Sequence, residues 1–79
     1  MDEENTKTTS DIYLAAAFMS LGARLHDVNR DDPRHQRFTF ESDELDFSDV
    51  ESQWINQSLM VNGAHYKVAL QNMKSVIYA

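Results

Sequence analysis

The stretch "SDIYLAAAFMSLG", residues 10–22, gives the strongest structural signal in the chain. Its alanines, leucines and methionine favour a helix. Apolar side chains recur on one face at Leu14, Phe18 and Leu21. Ser10 is predicted to cap the helix start, and Gly22 to end the helix, because glycine adopts positive φ without a steric clash. Further apolar residues widen the stripe, so we expect this helix to be central and mostly covered.

Two strands are predicted after this helix, at residues 23–29 and 35–41. In the second strand, Phe38 and Phe40 share one face, and polar residues alternate with them. The first strand alternates less regularly, which predicts a bulge near residues 26–27. Together the two strands form a hairpin, whose outer edges could pair with another chain.

Two further helices complete the predicted fold. The first begins near residue 43, capped by Ser42, or at a capping box of Ser48 and Glu51, and it ends near residue 58. Its inward side chains are predicted to be Leu45, Phe47, Val50, Trp54 and Ile55. Asn62 is predicted to cap the last helix, over roughly residues 63–77. The buried stripe of that helix is Tyr66, Ala69, Leu70, Met73, Val76 and Ile77.

The sequence therefore predicts a small α+β domain in the order helix–β-hairpin–helix–helix, which is α-β-β-α-α. Residues 1–9 are polar and show no periodicity, so they are predicted to form a flexible N-terminal arm. Residues 10–79 are predicted to fold as one domain, because no linker or repeat divides them.

Three segments resemble a family of short phage and prokaryotic proteins known only as a domain of unknown function. They are the first helix, the strand ending in "FTFE", and the closing "YKVALQNMKSVIYA". The matching residues are Ser10, Asp11, Leu14, Ala15, Gly22, Phe38, Phe40, Glu41, Tyr66, Leu70, Lys74, Ile77 and Tyr78. Met73 stands where the family often has leucine. The resemblance covers residues 8–79, implies no catalytic residue, and suggests a phage or mobile-element setting.

The amino-acid composition argues against several classes of function. The net charge is −6, which opposes generic nucleic-acid binding because such binding depends on cationic side chains. The chain has no cysteine, which fits a reducing cytoplasm. Its longest apolar run is too short for a bilayer. We therefore expect a soluble cytoplasmic protein without a membrane partner.

Enzymatic motifs are missing from the sequence. It has neither cysteine nor a Gly-x-Ser-x-Gly elbow, and its two glycines cannot form a glycine-rich phosphate loop. His26 and His35 could hold zinc together with a nearby aspartate, but exposed polar residues are the more common case. The number of acidic residues leaves open a general acid–base pair of carboxylates, although such a pair needs a shielded pocket. We predict no catalytic residue, no metal and no cofactor.

Two adjacent segments of opposite charge form the predicted binding surface. The hairpin carries Arg24, Arg30, Arg34, His35 and Arg37. The segment after it has six acidic residues between Glu41 and Glu51, of which Asp43, Glu44 and Asp46 are the candidate contacts. The acidic run could instead be a solvated helix start, and the arginines could pair with neighbouring aspartates.

These observations predict a non-enzymatic phage or mobile-element accessory protein that binds another macromolecule, most simply a protein. One specific version is an inhibitor that presents an acidic surface to a basic site on a host protein. The alternative is a small dimeric nucleic-acid-binding regulator that uses the arginine-bearing hairpin. A homodimer is also predicted, through sheet edges or through apolar helix surfaces.

Overall fold

Three strands and three helices form the part of the chain described by the computed structural model, residues 5–32 and 34–78. In chain order they are β1 (Thr6–Thr9), α1 (Ile12–Ser20), β2 (Arg24–Asn29), β3 (Arg37–Glu41), α2 (Phe47–Ile55) and α3 (Gly63–Ile77). The predicted α+β class is confirmed. The predicted order gains one strand, which precedes the first helix.

Helix α1 is the central element, as its sequence predicts. Residues 14–18 are all buried, and α1 contacts the sheet, α2 and α3. The predicted cap is wrong by one residue, because Oδ1 of Asp11 accepts the backbone N–H groups of Tyr13 at 2.9 Å and Leu14 at 3.3 Å. Gly22 follows the helix with φ of 105°, which confirms its predicted role in ending it.

The sheet is antiparallel with the strand order β1-β3-β2. Phe38 and Phe40 of β3 are buried and face the helices, whereas the alternate residues of β3 face the opposite, polar side. The register of β2 against β3 shifts between Leu25 and Asp27, which confirms the predicted bulge. The helices therefore cover one face of the sheet only.

Strand β1 corrects the prediction of a flexible arm, which is wrong for Thr6–Thr9. This segment pairs with residues 38–41 of β3, and the backbone N–H of Ser42 extends the ladder by donating to the Asn5 carbonyl at 2.9 Å. The hydroxyls of Thr8 and Thr39 also hydrogen-bond at 2.8 Å across the two strands. Residues 1–4 of the predicted arm lie outside the described residues.

Phe18 joins the sheet, α1 and α2 in one core. Its ring meets Phe40 edge-on with centroids 5.8 Å apart, and it meets Phe47 edge-on at 5.1 Å. Such aromatic pairs add about 0.5–1.5 kcal/mol beyond the burial of their area. Ala69 and Met73 bring the buried face of α3 into the same core.

Helix α2 begins between the two predicted starts. Asp46 is its N-cap, with Oδ1 accepting the Asp49 N–H at 3.1 Å, so neither Ser42 nor Ser48 caps it. Phe47, Val50 and Trp54 turn towards the core at helical spacing. Ile55, predicted to point inward, is 70% exposed because it follows Trp54 by one residue and therefore lies on a different face.

Helix α3 agrees with its prediction. Asn62 caps its start, because the side-chain oxygen accepts the His65 N–H at 3.0 Å. The predicted stripe faces the core, fully at Ala69 and Met73 and partly elsewhere. Its main packing partner is α1, and the Tyr66 hydroxyl donates to the Tyr13 carbonyl at 3.1 Å across that contact.

Candidate functional site

A large open cavity lies beside β1, between this strand and the segment that leads into α2. Its volume is about 840 Å³, which is within the usual size range of ligand sites. We call it the acidic groove. Its lining residues are Asn5, Thr6, Lys7, Thr8, Glu44, Leu45, Asp46, Phe47 and Ser48.

A turn of the backbone builds one wall of the acidic groove. The hydroxyl oxygen of Ser42, itself buried, accepts the backbone N–H groups of Glu44 and Leu45, both at 3.1 Å. Phe47 then anchors the first turn of α2 in the core. Because Ser42 and Phe47 hold the two ends of this turn in place, Glu44 and Asp46 between them are exposed and line the groove.

The charge of the acidic groove is negative. Among the described residues that line it, Lys7 is the one cation, and its Nζ lies 2.9 Å from Oε1 of Glu51 on α2. Because Glu51 neutralises the charge of Lys7, the carboxylates of Glu44 and Asp46 make the electrostatic potential in the groove negative. Asp43, the third acidic residue predicted to bind, is exposed but does not line the groove.

Two of the four candidate arginines already contact other parts of the chain. Nη2 of Arg30 donates to the Val76 carbonyl at 2.6 Å, so this side chain satisfies an orphan carbonyl in the last turn of α3. Nε of Arg24 lies 3.8 Å from Oε2 of Glu41 across the strands. The second pair is exposed and contributes little to stability.

The other basic candidates lie near the turn between β2 and β3. Arg34 and His35 donate their backbone N–H groups to Asp32, at 3.0 Å and 2.9 Å, and both side chains are exposed. Arg37 is exposed at the start of β3, opposite Asn29. The structure therefore does not bring all the candidate arginines into one cluster.

Strand β3 separates Arg37 and the basic turn before it from the acidic groove, whereas Arg24 lies beside Glu41 at the acidic end. Arg37 begins this strand at the turn end, and Ser42 follows it at the end where the acidic groove lies. A five-residue strand spans about 17 Å, so the two charges occupy opposite ends of the sheet. The abrupt change of charge in the sequence thus becomes two separate surfaces.

The histidines do not converge on a metal site. Nδ1 of His26 lies 3.5 Å from Oε2 of Glu41, whereas His35 lies beyond the strands in the turn. Within residues 5–32 and 34–78, no group of three or more histidine, aspartate or glutamate side chains is arranged to hold a metal ion.

Tyr66 is a titratable residue with a perturbed environment. Burial, with smaller contributions from the nearby charge of Asp11 and from Tyr13, raises the pKa of its hydroxyl above 10.0. The hydroxyl belongs to the contact between α1 and α3 and does not line the acidic groove. It therefore acts as a structural donor at neutral pH.

A second surface is apolar and was not predicted from the sequence. Trp54, Gln57 and Leu59 line a cavity of about 370 Å³ at the end of α2. Ile55 and Met60 in the same segment are 70% and 86% exposed. We call Trp54, Ile55, Leu59 and Met60 the apolar patch. Ile55 lies on a different face of α2 from Trp54, so the name denotes the exposed and half-exposed apolar residues of one short segment, and exposed apolar area is a feature of interaction sites.

Residues 5–8 were missed as part of the candidate site because they were assigned to the arm. The one sequence signal for them is the composition of "TKTT", since threonine favours strands. A four-residue polar strand has no apolar alternation, so only its pairing with β3 reveals it.

One protein family matches the chain over residues 4–79, and it is described as a domain of unknown function (DUF5659). Comparison with the curated proteins and with the solved structures gives no match. Among the described residues, no helix is both long enough and apolar enough to cross a membrane.

Proposed function

The chain belongs to the DUF5659 family, and we propose that it acts by binding another protein, with no chemistry of its own. The acidic groove is the observation that carries this proposal. It combines a large open volume with two exposed carboxylates, those of Glu44 and Asp46. A groove of this kind fits a basic segment of a partner.

Charge supports a basic partner. The whole chain carries −6, and the acidic run from Glu41 to Glu51 flanks the groove. Complementary charge accelerates encounter and discriminates against acidic partners. In the phage or mobile-element setting that the resemblance suggests, the partner is a host protein and the groove occupies its basic site, which makes this chain an acidic inhibitor.

The engagement of the arginines weighs against the alternative of a nucleic-acid-binding regulator. Arg30 holds the end of α3, and Arg24 lies beside Glu41, so both have contacts within the fold. Of the four candidate arginines, Arg34 and Arg37 are left to contact phosphate groups. Two cationic side chains give weak nucleic-acid binding that depends strongly on salt. Protein binding is therefore the better supported function.

Affinity capture of a partner tests whether the chain binds a protein or a nucleic acid. We expect the immobilised protein to retain a basic protein from a lysate of the organism that encodes it, with retention falling as salt is raised. A parallel titration with DNA and RNA at low salt is expected to give no binding. Nucleic-acid binding that the double change Arg34→Ala, Arg37→Ala abolishes would contradict the proposal and support the alternative.

Self-association is proposed through the apolar patch and not through the sheet edges. Ile55 and Met60 supply exposed apolar area, whereas two copies meeting at β1 would place their acidic grooves side by side. Burying the apolar patch in a two-fold dimer removes that area from water and leaves both grooves open.

Light scattering measures this dimer. We expect a mass near twice 9.1 kDa at high protein concentration, and a monomer for the double change Ile55→Glu, Met60→Glu. Both positions are exposed, so the fold should survive the change. The corresponding control is Val68→Glu, an exposed position on α3 outside the apolar patch. A strict monomer at every concentration would rule the dimer out.

A further inference from the structure

Strand β1 is an edge strand with backbone groups that point away from the sheet. The Ser42 N–H donates to the Asn5 carbonyl, so Asn5 and Ser42 form a hydrogen-bonded pair of the ladder. Bonding alternates along an antiparallel pair, and the register then places Lys7 and Thr9 in the bonded positions as well. Thr6 and Thr8 therefore direct their N–H and C=O groups outward, where no described strand pairs with them.

The acidic groove lies along this outer edge. Residues 5–8 form one side of it and residues 44–48 the other, so the volume of about 840 Å³ is bounded by a strand edge and a helix start. Four strand residues offer an edge of about 14 Å. This length and shape match a short extended peptide, which recognises a sheet edge through main-chain hydrogen bonds.

The other edge of the sheet is built differently. Strand β2 contains the bulge between Leu25 and Asp27, and it carries exposed charged or polar residues at Arg24, His26 and Asp27. Bulges and edge charges are two devices that prevent strand pairing. β1 is regular in register, and its single charge, on Lys7, is paired with Glu51. β1 is thus the edge that can accept a strand.

Charge selects the occupant of β1. Glu44 and Asp46 face the space where an added strand would lie, so lysine or arginine side chains on that strand would meet carboxylates. A second copy of this chain would bring its own Glu44 and Asp46 to the same place, and the like charges would repel. A basic segment of a different protein fits better.

We propose that β1 binds an extended, lysine- or arginine-bearing segment of a partner protein as a fourth strand of the sheet. The inference rests on the proposed function, because it specifies how the acidic groove holds its partner. Thr6 and Thr8 supply the outward backbone donors and acceptors, and the carboxylates of Glu44 and Asp46 supply the charge.

Three synthetic octapeptides test the mode of binding by calorimetric titration. Alternating lysine and threonine provides both charge and strand-forming backbone. Alternating lysine and proline keeps the charge but lacks half of the backbone donors. Alternating glutamate and threonine reverses the charge. We expect the lysine–threonine peptide to bind at least ten-fold more tightly than either of the others, with slowed exchange of the Thr6 and Thr8 amide protons.

Thr8→Pro tests the same proposal from the side of the protein. Its N–H points outward, so proline removes a donor for the peptide without removing a hydrogen bond to β3. Thr8→Ala is the matched control, because both variants lose the hydroxyl contact with Thr39. We expect Thr8→Pro to weaken lysine–threonine binding at least ten-fold, and Thr8→Ala to leave it within two-fold.

Three outcomes would overturn the proposal in different ways. Equal affinity for the lysine–threonine and lysine–proline peptides would remove the fourth strand but leave charge-based protein binding standing. A doubled mass with protected Thr6 and Thr8 amides in the absence of peptide would identify a second copy as the occupant. Failure of the lysine–threonine peptide to bind, while a basic protein is still captured through Glu44 and Asp46, would also overturn the inference alone.

Discussion

The change Phe18→Ala is expected to remove a large share of the protein's free energy of unfolding. Phe18 is fully buried and contacts the rings of Phe40 and Phe47, so its loss opens a cavity where three elements meet. Removing a buried phenylalanine costs about 3–5 kcal/mol. The whole stability of a chain of 79 residues is roughly 4–12 kcal/mol. Urea denaturation followed by circular dichroism measures the loss.

Tyr78→Ala is the matched control for this change. It also removes an aromatic ring, but Tyr78 is 85% exposed, so its free energy of unfolding should change by less than about 0.5 kcal/mol. A wild-type urea midpoint for Phe18→Ala would show that the described core does not carry the fold.

Neutralising the acidic groove is expected to reduce partner binding at least ten-fold at low salt. The double change Glu44→Gln, Asp46→Asn removes both exposed carboxylates from the wall and keeps their size. Asparagine is as good an N-cap as aspartate, so α2 should still begin at its present residue. The loss of attraction should appear mainly as slower association.

Asp27→Asn with Asp31→Asn is the control for total charge. Both aspartates are exposed, and neither lines the acidic groove. This variant changes the net charge by the same amount, so it should keep near wild-type affinity if the position of the charge matters. Surface plasmon resonance with the captured partner measures both variants. Equal losses in the two variants would mean that total charge, and not the groove, drives binding.

Local patterns in the sequence predict the elements that carry strong signals. Helix α1 follows from apolar periodicity and from Gly22, and α3 follows from Asn62 and its stripe. The cap of α1 was misplaced because Ser10 and Asp11 are both good cap residues, and only the backbone geometry decides between them. The inward face of α2 was mispredicted at Ile55, because this residue continues the apolar pattern although no described element covers it.

The acidic groove could be predicted only in part. The sequence identified Glu44 and Asp46 as candidates, because their acidic run stands out against the basic hairpin. It could not supply the opposite side, since residues 5–8 form a strand only through pairing with β3. It also placed Arg34 and Arg37 beside the acidic residues, because neighbours in sequence become opposite ends of a strand only in the fold.

Amide chemical-shift mapping of the labelled protein with its captured partner locates the surface that binds the partner. We expect the largest shifts on Thr6, Thr8 and residues 44–48, around the acidic groove. Largest shifts at Arg34 and Arg37, with residues 5–8 and 44–48 unchanged, would contradict this expectation.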